Sequence, residues 1–293
     1  MKRNLVCLAA AFFLMVAFFI GGCSNAKKAA APAVVNGNSL VVRMLDVGQG
    51  DAILIQQGGE TVLVDSGDIE TREQLIAQLK KYGVVKIDKL IVTHAHADHI
   101  GGLEAVFANF AVGDIYDSGV VTSSKLYRDY LKTVKTKQIP LHAAKDGMVT
   151  SVGAAQLDFF SMTAPILVDD KPDLNNNSVV FRLRFGDFSM LFTGDIEQAA
   201  EDKLIGRYGS KLASRVLKVG HHGSKTSSST EFLKVVKPET GLISLGAGNA
   251  YGHPHQSTLR RLEQNKIQLW RTDQHGTITL ETDGKTYQVK GEK

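Results

Sequence analysis

From Leu40 onward the chain alternates between short apolar runs of strand character and longer stretches of helical spacing. The strand-like runs are Leu40 to Val47, Ala52 to Gln56, Thr61 to Val64, Leu90 to Thr93, Ala155 to Phe160, Val179 to Phe185, Phe188 to Phe192 and Arg215 to Val219. Helical periodicity marks Arg72 to Tyr82, Leu103 to Phe110, Lys125 to Lys137, Glu197 to Tyr208, Thr230 to Val236 and Thr258 to Asn265. Thr277 to Glu281 and Thr286 to Val289 read as closing strands. Hairpins early and late, with strand-helix units between them, predict a mixed α/β (α+β) fold. Composition does not break after Ser39, so residues 39–293 are expected to form one domain.

The first 38 residues follow a different pattern. Lys2 and Arg3 precede an apolar stretch from Leu5 to Ile20, and then comes Ile20-Gly21-Gly22-Cys23. Residues 1–22 therefore read as a lipoprotein-type signal peptide, with Cys23 as the acylated N-terminus of the mature chain. An uncleaved membrane anchor is the alternative, and either reading places the remainder outside the cytoplasm, held at the membrane. Residues 23–38, small and polar without amphipathic period, are expected to be a flexible tether.

The chain has 293 residues, of which 43% are hydrophobic and 22% charged, which excludes a disordered or collagen-like protein. Net charge is +4. Leaving out Lys2 and Arg3, 32 basic side chains face 30 acidic ones, so any nucleic-acid binding must rest on a local patch rather than on bulk charge. With only Cys7 and Cys23, a disulfide framework and a cysteine zinc knuckle are both excluded.

Candidate chemistry concentrates in Thr93-His94-Ala95-His96-Ala97-Asp98-His99-Ile100-Gly101-Gly102, directly after an apolar run. In an extended segment residues two apart face the same way, so His94 and His96 can offer imidazoles to one cation. Asp98 and His99, at the turn into the next helix, can point at a second cation nearby. Neutral imidazole and carboxylate suit zinc, manganese or iron. Two other strand-like runs end in candidate ligands: Met190-Leu191-Phe192-Thr193-Gly194-Asp195, and Val216-Leu217-Lys218-Val219 before His221-His222. Sites in α/β sheets gather beyond the carboxyl ends of strands, so these residues are expected to converge on the first motif, with Asp195 placed to bridge two metals. A helix N-cap is the other reading of Asp195, and one packed plus one exposed histidine the other reading of His221 and His222. Asp65, after Val62-Leu63-Val64, reads as an acceptor that orients a ligating histidine, or as a turn-forming residue.

The ordered set Asp65, His94-x-His96-x-Asp98-His99, Asp195 and His221 resembles the metallo-β-lactamase fold hydrolases. That resemblance implies a four-layer αββα sandwich with a dinuclear site at the sheet edges. Leu45-Asp46-Val47-Gly48-Gln49-Gly50-Asp51-Ala52, Asn175-Asn176-Asn177-Ser178, His221-His222-Gly223-Ser224-Lys225-Thr226-Ser227 and Asn249-Ala250-Tyr251-Gly252-His253-Pro254 are similar to the ComEC-type competence nuclease branch. The similarity covers nearly all of Leu40 to Val289. A polytopic membrane channel, part of the full competence protein, is not among these segments, so a stand-alone, membrane-tethered catalytic domain is expected.

The resemblance implies two divalent metal ions, zinc or manganese. It assigns His94 and His96 to one ion and Asp98, His99 and His221 to the other, with Asp195 between them. The histidine that many relatives place before the bridging acid has only His142 as a counterpart here, away from any strand-end motif, and Asn177 stands near that point of the pattern, which makes manganese credible beside zinc. His222, Ser224, Lys225 and His253 are then available, with Asp98, to bind a phosphate or protonate a leaving oxygen. His142 and His275 read as structural. The expected activity is a metal-dependent phosphodiesterase acting on extracytoplasmic DNA, single- or double-stranded. A local basic set, Lys203, Arg207, Lys211, Arg215, Lys218 and Lys225, supports it unless those residues form a solvated face. A small-molecule or cell-wall phosphodiesterase, less readily a lactamase or lactonase, and a non-catalytic DNA- or surface-binding domain are the alternatives. No protein partner is inferable.

Overall fold

The structure is a computed structural model that describes residues 38–160 and 165–293. The signal peptide and all but the last residue of the tether lie outside the described residues. Within them the chain runs β1 (Leu40–Met44), β2 (Ile53–Gln57), β3 (Glu60–Val64), α1 (Arg72–Lys81), β4 (Lys86–Val92), α2 (Ala97–Ile100), α3 (Leu103–Asn109), β5 (Ala111–Asp117), α4 (Lys125–Lys137), β6 (Leu141–Ala143), β7 (Val149–Val152) and β8 (Ala155–Phe160). It continues with β9 (Leu167–Val168), β10 (Lys171–Pro172), β11 (Val180–Phe185), β12 (Phe188–Phe192), α5 (Gln198–Tyr208), β13 (Val216–Lys218), α6 (Thr230–Val236), β14 (Thr240–Ile243), α7 (Gln256–Gln264), β15 (Gln268–Arg271), α8 (Thr272–His275), β16 (Ile278–Thr282) and β17 (Tyr287–Gly291).

Two large sheets result, in the orders β17-β16-β1-β2-β3-β4-β5-β6 and β15-β14-β13-β12-β11-β8-β7, besides the β9-β10 ribbon. Period-two patterning decides which way each strand faces. Ile53, Ile55, Val62, Val64 and Ile91 of the first sheet meet Phe181, Leu183, Phe188, Met190 and Phe192 of the second in a shared core. The intervening Leu54, Leu63 and Leu90 face the other way, against Leu75, Leu79, Val106 and Tyr130 of α1, α3 and α4. On the far face of the second sheet, Val180, Leu191 and Leu217 pack on Leu204, Phe232, Leu233 and Leu262 of α5, α6 and α7. Three apolar interfaces between four layers make the αββα sandwich expected from the resemblance.

Each sheet holds a parallel half, β3-β4-β5-β6 in one and β12-β13-β14-β15 in the other. The backbone N–H of Val179 donates to the carbonyl of Thr93 at 2.9 Å, which ties the ends of the two halves together. Strands β5, β6, β7, β14 and β15 were not marked by strand-like runs, because β5 buries only Ile115 and Asp117 and carries Gly113, while the other four span three or four residues. Among the described residues no helix is long and apolar enough to cross a membrane.

Candidate metal centre

Every chemical residue of the first sheet sits just past a strand end. After β3, Asp65 takes a left-handed backbone conformation (φ 56°) that turns its side chain back under β4. There its carboxylate accepts from the Thr93 backbone N–H at 2.8 Å and from the Thr93 hydroxyl at 2.6 Å, and it contacts His99 Nδ1 at 2.8 Å. That contact fixes the His99 ring with Nε2 pointing inward. Asp65 therefore orients His99, which is brought into place by the short α2. The β1-β2 connection closes over α2: the Asp51 N–H donates to the Asp98 carbonyl at 3.1 Å. Gly50 makes that approach possible, since a Cβ there would lie 2.2 Å from the same carbonyl oxygen.

The second sheet contributes from β12 and β13. Beyond β12, Thr193 donates its hydroxyl to the Lys218 carbonyl at 2.8 Å, and Asp195 follows. Beyond β13, His221 and His222 both adopt positive φ, 47° and 51°, so the two adjacent imidazoles diverge. His222 swings inward, its Nδ1 donating to the Ser244 carbonyl past β14 at 2.8 Å, which leaves Nε2 for the centre.

Four donor atoms consequently meet: Asp98 Oδ2, His99 Nε2, Asp195 Oδ2 and His222 Nε2, all within 4.8 Å of one another. Asp195 lies 3.2 Å from His99 and 3.3 Å from His222; Asp98 lies 3.7 Å from His99 and 3.3 Å from His222. Ligand atoms placed tetrahedrally about 2.0–2.1 Å from a zinc-sized cation are roughly 3.3–3.4 Å apart. The observed spacings bracket that edge. His222 Nε2 stands near both carboxylates yet is aligned for a hydrogen bond with neither, and Asp195 Oδ1 is buried with no hydrogen-bond partner. Orphaned, convergent donors of this kind fit a divalent cation.

Charge at the centre points the same way. Burial opposes ionisation of Asp195, but His222 and His99 outweigh it and hold the carboxyl well below its usual range. Burial likewise works against a charged His222, but Asp195 and Asp98 push its imidazole up to about 10. Asp98 is held low by His99 and His222 against its own burial. His94 is driven well below the usual imidazole value by burial and then by His99, and His96 is lowered chiefly by burial, so both are neutral and able to ligate.

His94 Nε2 and His96 Nδ1 lie 2.9 Å apart, on the same face as the β4 extension predicts. The His94 ring is 4.1 Å from that of His99, and Ser178 Oγ holds His94 Nδ1 at 3.3 Å while accepting from the Asp195 N–H at 3.2 Å. His221, assigned to the second ion from sequence, is displaced from the inner set. Its Nε2 is 4.0 Å from Asp195 and its Nδ1 3.1 Å from Glu197, and His222 takes the inner position.

Asn177 is not brought to the centre. Its amide is spent within the loop, accepting from the Ile166 N–H at 2.9 Å and donating to the Ile166 and Asp173 carbonyls at 2.8 and 2.6 Å. Ser224 is buried in a turn, its hydroxyl paired with that of Thr226 at 2.9 Å. Lys225 is exposed beside the His253 loop, its backbone N–H donating to His255 Nδ1 at 3.1 Å. The His253 ring centroid lies 5.6 Å from that of His221 and 6.3 Å from that of His222; burial, followed by those two imidazoles, lowers it to about 4. His142 pairs with Asp114 at 2.9 Å and His275 with the Arg271 carbonyl at 2.9 Å, both in structural roles.

Of the basic set, Lys203, Lys211 and Lys225 are exposed, while the other three are engaged. Arg207 is paired with Asp146 and Arg215 with Glu239. Lys218 is buried, with its ammonium 2.8 Å from Asp51 Oδ2. Burial depresses this lysine, and Asp51 followed by Asp195 raises it above its ordinary value. The other oxygen of Asp51 is 3.6 Å from His222 Nδ1. Asp51 and Lys218 thus form a fixed ion pair behind the donor cluster, a role the sequence reading missed. A lysine interrupting the apolar run Val216-Leu217-Lys218-Val219 was its signal.

The chain belongs to the metallo-beta-lactamase superfamily, whose sequence pattern matches residues 45–247. Among curated proteins it is 34% identical over 256 residues to ComE operon protein 3 of Bacillus subtilis (strain 168), covering 81% of this chain and 32% of the relative. It is 32% identical over 248 residues to Competence protein ComA of Neisseria gonorrhoeae, covering 84% of this chain and 33% of the relative. The chain spans about a third of the length of these relatives, and its resemblance to the ComEC-type branch is borne out. Among solved structures, the metallo-beta-lactamase fold protein YhfI from Bacillus subtilis covers 83% of this chain and 99% of its own, with a TM-score of 0.56 at 14% identity. CmlA, a diiron beta-hydroxylase from Streptomyces venezuelae, covers 83% and 54%, with a TM-score of 0.51 at 16% identity. Both likenesses concern the fold. Family and donor cluster together support a metal-dependent hydrolase.

Two outcomes follow from the supports of the centre. Asp65→Asn, which tolerates the left-handed backbone, lowers divalent-metal affinity by roughly 10- to 100-fold in a competitive chelator titration, because His99 loses its anionic anchor. Lys218→Met leaves Asp51 buried without its counter-charge and lowers stability by about 3–5 kcal/mol in urea unfolding.

Proposed function

We propose that the protein is a metal-dependent phosphodiesterase that cleaves DNA. The observation that carries this reading is the convergence of Asp98, His99, Asp195 and His222 on one point, with His94 and His96 beside it, in a chain similar to proteins named for competence. These residues would hold divalent cations, which would supply Lewis acidity toward a phosphoryl oxygen and lower the pKa of water.

The chain's own groups do the rest. Asp195 carries a buried Oδ1 without a hydrogen-bond partner, and its charge is felt at His94. Asp65 and the Ser244 carbonyl lock the rings of His99 and His222 from behind, so the donor atoms keep their spacing without reorganising. His253, neutral at physiological pH, faces the centre from the opposite loop with an unpartnered Nδ1 and is suited to hydrogen-bond a phosphate oxygen or a leaving hydroxyl. Exposed Lys225 supplies positive charge beside that loop. Two ions, zinc or manganese, would fit the reading: Asp98, His99, Asp195 and His222 mix imidazole and carboxylate, and His94 and His96 would add two further imidazoles.

The reaction is placed outside the cytoplasm, with Cys23 as the lipid attachment point, a reading supported by the wording of residues 1–23. In cells fed radiolabelled palmitate, the full-length chain takes up label and Cys23→Ser does not; equal labelling of the two overturns the anchor.

Single-stranded DNA, bis-p-nitrophenyl phosphate and nitrocefin, offered with manganese or zinc, separate the substrate classes. DNA cleavage that is lost on chelation, and lost by at least about 100-fold in a folded Asp195→Asn variant, is the expected outcome. Turnover of the chromogenic diester with intact DNA replaces the reading with a small-molecule or cell-wall phosphodiesterase. DNA binding by a wild type that cleaves nothing leaves a receptor.

A further inference from the structure

Tyr251 is the only exposed aromatic side chain among the described residues, 65% exposed where the other described aromatics are buried or half-buried. It sits in the connection between β14 and α7 and serves no core. The connection is nonetheless firmly built. Asn249 accepts from the His253 N–H at 3.0 Å and donates to the carbonyls of His253 and Gly246 at 2.8 and 3.0 Å, closing a tight loop with Tyr251 at its outer edge.

The direction in which that loop presents the ring matters most. Tyr251 lies near-parallel to His253, with centroids 5.7 Å apart and planes at 22°, and His253 lies near-parallel to His222 at 6.3 Å and 25°. A ladder of three flat rings therefore leads from a donor of the metal centre to solvent. Its outermost rung is held against His253 and exposes most of its surface. Flat, parallel, weakly polar surface at the end of such a ladder suits another flat ring, and nucleobases stack on aromatic side chains whatever their sequence. A base within a duplex has both faces covered already. Lys225, tied by its backbone to the His255 ring, which is 4.9 Å from that of His253, puts a cation beside the same loop for the strand's phosphates.

We propose that Tyr251 is a stacking platform for an unpaired nucleobase, which positions single-stranded nucleic acid with a neighbouring phosphodiester at the metal centre. The inference rests on the phosphodiesterase reading of that centre and adds to it a preference for single strands.

A two-by-two comparison tests it. Binding of a fluorescent oligothymidylate and of an abasic oligomer of equal length is measured by anisotropy, in an Asp195→Asn background that keeps the strand intact. Tyr251 is compared there with Tyr251→Ala, and Tyr251→Phe serves as a ring-preserving control checked for folding by circular dichroism. The expected result is an affinity loss of about 10-fold on Tyr251→Ala for the base-bearing strand, with Tyr251→Phe close to the parent and the abasic strand changing by less than about twofold. Equal loss on both strands, or no loss on either, overturns the platform. Cleavage by the wild-type protein is read separately: a wild type that cleaves DNA without the coupling sinks the stacking inference alone, and a coupling without cleavage sinks the nuclease reading alone.

Discussion

The structure is organised around an electrostatic constraint: Asp51, Asp65, Asp98 and Asp195 are brought together where water is largely excluded. Carboxylates taken out of water are tolerated only when cations and hydrogen-bond donors enclose them. Lys218 supplies one permanent cation, on the Asp51 side. Thr93 and His99 serve Asp65. The groups in contact with the Asp98 and Asp195 carboxylates are imidazoles, which are drawn into the charged state by those same carboxylates. A divalent ion among the four inner donors would meet that demand directly, and the orphaned Asp195 Oδ1 marks where the protein's own groups fall short.

Holding these groups together requires both sheets. A single parallel half-sheet presents a line of strand ends, whereas two half-sheets packed face to face present two lines that can enclose a volume. The Phe181-Phe192 stack and its apolar neighbours set the separation of the sheets, and the Val179-to-Thr93 hydrogen bond ties their ends. Local backbone strain does the final aiming. Asp65, His221 and His222 are non-glycine residues at positive φ, a conformation that persists where surrounding contacts over-determine it. Those contacts are present: Asp65 N–H to the Ile91 carbonyl at 2.9 Å, His221 N–H to the Gly194 carbonyl at 3.2 Å, and His222 Nδ1 to Ser244.

Much of this was legible in the chain. Period-two alternation identified the strands that line the inter-sheet core, and the candidate ligands at the ends of β4, β12 and β13 were visible because a polar, chemically specific residue follows an apolar run in each case. What failed to show had local causes. Short strands such as β6 and β14 hold too few residues for a period to emerge. Choosing between His221 and His222 depends on two consecutive left-handed residues, a backbone event that adjacent histidines do not signal. Asn177 was misplaced because its role depends on the loop around Ile166 and Asp173, which pattern alone does not locate. Lys218 was counted among surface charges although its apolar neighbours Leu217 and Val219 already argued that it was enclosed.

The donors also divide unequally between the two sides of Asp195. On the inner side two imidazoles and two carboxylates stand at coordination spacing, each ring locked by a hydrogen bond at its far nitrogen. On the outer side His94 and His96 are neutral and lie against each other at 2.9 Å, while His221 is drawn toward Glu197. The inner set is preorganised and holds both carboxylates; the outer set is nitrogen-rich, with its two rings in contact with each other. Softer imidazole donors favour zinc-like ions, and added carboxylates widen the choice toward manganese. The asymmetry is therefore a property of the chain itself, greatest at His96: His99 has Asp65 behind it, His222 has Ser244 and His94 has Thr93 and Ser178, whereas the ring of His96 lies against His94.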